Sequence, residues 1–143
     1  MMAKLLYFYD DDGMGRDDHA RLVERLADYG IMEPVEATTA PPFYGATFDV
    51  LFFDWGGMSM GNSLLQDFCR EIIKQAEDAP SKVFVMTSTF TGMAMRDATY
   101  ELRNRPANIY LSIDRGIEAI AAVCGVSGVK RDRDWDDGDD LDW

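Results

Sequence analysis

Apolar positions in this chain form short continuous runs that alternate with helix-spaced stretches, and each short run ends in a polar or glycine-containing break. Lys4 to Tyr9 is the first run, apolar and aromatic almost throughout and stopping at Asp10-Asp11-Asp12-Gly13. That pattern predicts a strand buried on both faces. Leu22, Val23, Leu26 and Tyr29 then recur at helical spacing within Asp17 to Tyr29, and Gly30 follows where a C-terminal cap glycine belongs. Met32 to Thr38 reads as a second strand, placed at a sheet edge by Pro34. The proline-broken stretch Ala40 to Gly45 is too short for a full helix.

A third strand is expected over Asp49 to Phe53, ending at Asp54-Trp55-Gly56-Gly57. A helix follows from about Ser63, with Leu64, Leu65, Phe68, Ile72 and Ile73 on one face. Lys82 to Met86 predicts a fourth strand ending at Thr87-Ser88-Thr89, and a weaker helix runs near Met95 to Asn104, closed by Pro106. Ile109 to Ile113 predicts a fifth strand. Ile117, Ile120, Ala121 and Cys124 give the last helix its apolar face, with Gly125 as its cap. Strands alternating with helices imply one doubly wound parallel sheet with helices on both faces, since parallel neighbours need right-handed crossovers. With an edge-type second strand the order is 2-1-3-4-5, the flavodoxin-like arrangement, and a site then lies at the strands' carboxyl ends near strands one and three.

Length and charge narrow this further. At 143 residues there is room for one α/β domain, residues 1–128, followed by an acidic segment, residues 129–143. Seven aspartates fall between Asp132 and Asp142, so disorder is expected from about Arg131. The net charge of −12 speaks against direct nucleic-acid binding, which needs clustered Lys and Arg. No apolar run approaches the roughly 20 residues of a bilayer span, and no secretory cleavage pattern is seen. A cytoplasmic protein without membrane contact is expected, as a monomer or weak dimer. Cys69 and Cys124 lie on apolar helix faces and are expected to be free thiols; His19, the single histidine, is expected at the surface.

The sheet order gathers Asp10 and Asp11 beside Asp54, with Thr87 and Ser88 one strand further on. Carboxylates crowded together repel unless a cation lies among them, and hard oxygen ligands suit Mg²⁺. The competing reading is that these aspartates cap helices and dress polar loops.

Here the chain resembles the receiver domain of two-component response regulators. Lys4 to Asp11 is similar to that family's first strand with its acidic pair. Phe48 to Trp55 is similar to its third strand, which puts Asp54 on the phosphoacceptor, and Val85-Met86-Thr87 puts Thr87 on its hydroxyl residue. The resemblance implies Mg²⁺ held by Asp10, Asp11, Asp54 and the Gly56 carbonyl, with phosphoryl transfer to Asp54 from a small phosphodonor or a histidine kinase. Thr87 would donate to the phosphoryl oxygen, Ser88 and Arg115 being further phosphate contacts. Output would pass through protein contact to a downstream regulator. The chain departs from the family in lacking a lysine after the fifth strand, where Arg115 is the nearest cation, and in carrying Gly57-Met58 and Gly61-Asn62 after Asp54. An atypical or degenerate receiver is therefore the expectation.

Two other readings stay open. A non-catalytic binding module would use Trp55, Met58, Met60, Phe90, Met93 and Trp143 as an adaptable apolar surface. Alternatively, Asp10-Asp11-Asp12-Gly13 fits the D-x-D-G signature of haloacid-dehalogenase-type phosphatases, with Asp10 as nucleophile and Asp12 as general acid/base.

Overall fold

The computed structural model describes residues 3–9, 15–39, 47–54, 62–87 and 100–126. Its strands are β1 (Leu5–Phe8), β2 (Val35–Thr38), β3 (Val50–Asp54), β4 (Val83–Thr87) and β5 (Ile109–Tyr110). The helices are α1 (Gly15–Ala27), α2 (Asn62–Asp78) and α3 (Ile113–Cys124), with a 3-10 helix at Tyr100–Asn104. All strand pairs are parallel and the sheet order is β2-β1-β3-β4-β5, the flavodoxin-like order expected from the sequence. No helix among the described residues is long and apolar enough to cross a membrane.

Side chains alternate across the sheet with the strand period of two and so build two cores. Leu6, Phe8, Leu51, Phe53, Phe84 and Met86 face α2, where Cys69, Ile72 and Ala76 are buried against them. Phe68 closes this layer, edge-on to Phe8 and Phe53 at ring-centroid distances of 5.9 and 5.6 Å. Leu5, Tyr7, Val50, Phe52, Val83 and Val85 face the other way, against Leu22 and Leu26 of α1 and Ile117, Ile120 and Ala121 of α3. A sheet covered on both sides needs continuous apolar strands, which is why β1, β3 and β4 read as unbroken runs.

Both long connections on the second face stop with the same device. Gly30 and Gly125 adopt positive φ of 82° and 76°. Ile31 N–H then reaches back to the Leu26 carbonyl and Val126 N–H to that of Ala121, the six-to-one bond of a Schellman cap, which also packs Ile31 on Leu26.

Three expectations are corrected. The fifth strand is two residues, not five: Ser112 takes extended backbone (φ −154°, ψ 156°) and caps α3, its Oγ accepting from the Arg115 N–H, so Ile113 opens the helix. The described part of the region before Pro106 is a 3-10 turn, not an α-helix. His19 is half-buried, not at the surface; its Nε2 donates to the Val35 carbonyl at 2.6 Å. The 40–45 connection and residues 127–143 lie outside the described residues.

Candidate functional site

Asp54 is the last residue of β3, at the carboxyl end of the central strand, and stands in register with Thr87, the last residue of β4. Strand alternation turns Phe53 toward α2 and Asp54 toward the opposite face, with Val50 and Phe52. The side chain is 1% exposed, unusual for a carboxylate, and burial of this kind has to be offset by hydrogen bonds or charge. Tyr7 supplies one such bond: its hydroxyl donates to Asp54 Oδ2 at 2.5 Å.

The backbone register explains that meeting. Tyr7 pairs with Phe52 across β1 and β3, so its ring lies on the same face as Asp54 and one side-chain step nearer the strand's amino end. The length of the phenol covers the step. Tyr7 is itself fully buried, stacked on Tyr9 at 5.6 Å and tilted against the His19 ring at 5.5 Å. Because a carbonyl can only accept, the bond to Val35 fixes the proton on Nε2 of His19, and α1 is thereby tied to β2 beside the Tyr7 ring. Sequence reasoning counted Tyr7 only as an apolar strand residue; its position opposite residue 52 in neighbouring parallel strands was the available signal.

Of the four positions expected around Mg²⁺, Asp54 lies among the described residues and Asp10, Asp11 and Gly56 lie outside them. Asp54 offers the hard oxygen donor that Mg²⁺ requires, but its Oδ2 already accepts from a phenol. No group of three or more His, Cys, Asp or Glu side chains among the described residues could hold a metal ion. Asp12, Ser88, Trp55, Met58, Met60, Phe90, Met93 and Trp143 also lie outside the described residues. Arg115 is exposed in the first turn of α3, lining a cleft at the β5 edge of the sheet with Arg103 and Arg105. Its neighbour Asp114 fastens α3 to α1, accepting from Arg25 Nη2 at 2.6 Å and from the Tyr29 hydroxyl at 3.3 Å.

Cys69 and Cys124 are free thiols, as expected. Burial pushes the Cys124 thiol up to about 12, helped by the nearby Glu33 charge and hydrogen bond and by Asp49. The thiolate is the reactive form, so Cys124 in the folded protein is expected to react with a thiol-specific disulfide reagent at pH 8 far more slowly than in the unfolded chain, a comparison made with and without denaturant. The sign of the linkage follows. Below the ordinary value of about 9 the thiol is neutral in both states, and the folded state loses stability as pH rises from there through about 12.

No family model, no curated protein and no solved structure matches this chain.

Proposed function

We propose that this chain is an atypical receiver-like module that regulates through protein contact, with Asp54 as its phosphoacceptor. The observation that carries this reading is the carboxylate of Asp54 at the carboxyl end of the central strand of a 2-1-3-4-5 parallel sheet, in register with Thr87. Ligand sites of such sheets lie at that end, near the point where the chain reverses direction across the sheet. In the proposed reaction an Asp54 oxygen forms a bond to phosphorus as the bond between phosphorus and the donor's leaving atom breaks. Thr87 donates a hydrogen bond to the transferred group. Asp10, Asp11, Asp54 and the Gly56 carbonyl are the groups that would hold Mg²⁺, and the ion would supply neutralisation of phosphoryl charge.

A second reading is favoured by the Tyr7 bond. A carboxylate 1% exposed and engaged by a buried phenol is also what a degenerate site would hold, its aspartate kept as a structural anchor under a protein-binding surface.

Thermal unfolding with Mg²⁺ alone and with Mg²⁺ plus beryllofluoride, a mimic of aspartyl phosphate, separates the two. For the phosphoacceptor, saturation at 100 times Kd adds about 2.7 kcal/mol, roughly 5–10 °C in midpoint for a domain of this size. Fluorine NMR should show bound beryllofluoride in the native chain and none in Asp54→Asn. Absence of both signals in the native chain excludes phosphoacceptance and leaves the anchor reading.

A further inference from the structure

In a parallel strand the N–H and C=O of one residue point to the same side, and successive residues alternate. The Tyr9 N–H donates to the Thr38 carbonyl at 3.1 Å, so Thr38, and by alternation Glu36, turn their backbone groups toward β1. Val35 and Ala37 therefore face away from the sheet. β2 is its outermost strand on this side, and outward backbone groups of this kind are what an added strand pairs with. Ala37 is exposed. The Val35 carbonyl is guarded: it accepts from His19 Nε2 at 2.6 Å.

His19 reaches that carbonyl from α1 with its ring against Tyr7, the centroids 5.5 Å apart and the planes at 40°. Tyr7 is fully buried, and its hydroxyl donates to Asp54 Oδ2 at 2.5 Å. A contiguous line of contacts thus runs from β3 across β1 to the outer edge of β2: carboxylate, phenol, imidazole, carbonyl.

The hydroxyl gives this line its direction. Hydrogen bonds to ionised groups are the stronger ones, and a buried phenol deprived of such an acceptor turns toward whatever acceptor or water best replaces it. Its ring then leaves the face on which the imidazole rests. A phenylalanine at position 7 has no hydroxyl to place and stays.

From the strand register and this line of contacts we infer that His19 is a latch on the outer edge of β2, closed while Asp54 holds Tyr7 and released when Asp54 stops accepting from it. Release uncovers the Val35 carbonyl beside Ala37. The state of the carboxylate in the central strand is thereby displayed on a strand edge two strand spacings, roughly 10 Å, away. That a phosphoryl group is what ends the Tyr7 bond rests on the phosphoacceptor reading; the latch itself does not.

His19 is the single histidine, so its ring signals are assigned in the full chain by ¹⁵N-histidine labelling alone. In the native chain the Nε2 proton should give a resolved, slowly exchanging NMR signal. Asp54→Ala should speed its exchange with water by roughly tenfold or more, whereas Asp54→Asn, whose amide oxygen still accepts from the phenol, should leave it within about twofold. The decisive variant combines Asp54→Ala with Tyr7→Phe: with no hydroxyl to place, the slow signal should return. Asp54→Leu, which fills the carboxylate's space, replaces the alanine if that variant does not fold. An unchanged exchange rate in these single variants overturns the inference, as does a loss that Tyr7→Phe fails to restore, the mark of general loosening around residue 54. Beryllofluoride separates the latch from the phosphoacceptor reading. Ligand bound with faster His19 exchange supports both, and ligand bound with His19 unchanged overturns the link between occupancy and the edge. No bound ligand removes the phosphoryl reading, and the latch then stands or falls on the substitutions.

Discussion

Replacing Phe52 with alanine is expected to remove about 3–5 kcal/mol of stability, the range for deleting a fully buried aromatic side chain from a packed core. Phe52 is 0% exposed in the central strand, flanked in register by Tyr7 of β1 and Val85 of β4. Its ring belongs to the cluster that joins Leu22 and Leu26 of α1 to Ile117 and Ile120 of α3. Those helices cannot follow the lost ring inward without abandoning their own contacts and the Arg25–Asp114 bond between them, so most of the space remains as a cavity. Domains of this size have about 5–15 kcal/mol in total, and the variant should sit near the edge of folding. In urea the midpoint should fall by roughly 1.5–3 M with the slope unchanged. Met32→Ala, at a side chain 68% exposed, is the control and should shift stability by no more than about 0.5 kcal/mol. A Phe52→Ala loss below about 1 kcal/mol would mean that the two helices close over the gap, contrary to the packing described.

The same physics explains why so much of the sheet was legible from residues alone. Strands buried on both faces must be apolar throughout, and β1, β3 and β4 are; a proline just before Val35 kept β2 at an edge. The misreadings occur where a local hydrogen bond outweighed hydrophobic pattern. Ile109 to Ile113 looks like a strand by composition, but Ser112 caps the Arg115 N–H and Asp114 sits in the first turn, where a helix favours negative charge. That early helix start carries Arg115 into the groove at the β5 edge. His19 was judged by its charged sequence neighbours, whereas its burial comes from Tyr7 and Val35, partners that only the packing of α1 on the sheet brings near. Asp54 was found from strand position alone. Its bond to Tyr7 needed the register between two strands that lie 47 residues apart in sequence.

That bond gives the second large effect. Tyr7→Phe keeps the ring and its stacking on Tyr9 while deleting the hydroxyl that donates to a carboxylate 1% exposed. Hydrogen bonds to charged groups contribute about 1.5–3 kcal/mol, and a buried acceptor that loses its donor retains its desolvation cost, so a stability loss in that range is expected. Asp54→Asn should cost less, since the amide oxygen still accepts from the phenol. A double-mutant cycle between the two should give a coupling above about 1 kcal/mol; a value near zero would make the contact incidental. The cycle also connects stability to the proposed chemistry. Where Oδ2 is the oxygen that bonds to phosphorus, it must give up or share the Tyr7 hydroxyl, so the native chain spends part of that coupling whenever the site is occupied. Removing the hydroxyl removes the opposing term: at 1.4 kcal/mol per factor of ten, Tyr7→Phe should bind beryllofluoride roughly tenfold more tightly while being the less stable protein. Tighter binding together with lower stability would identify Tyr7 as a restraint on a working phosphoacceptor. Lower stability with no beryllofluoride binding in either protein would identify Tyr7 and Asp54 as a structural pair and overturn the phosphoacceptor proposal.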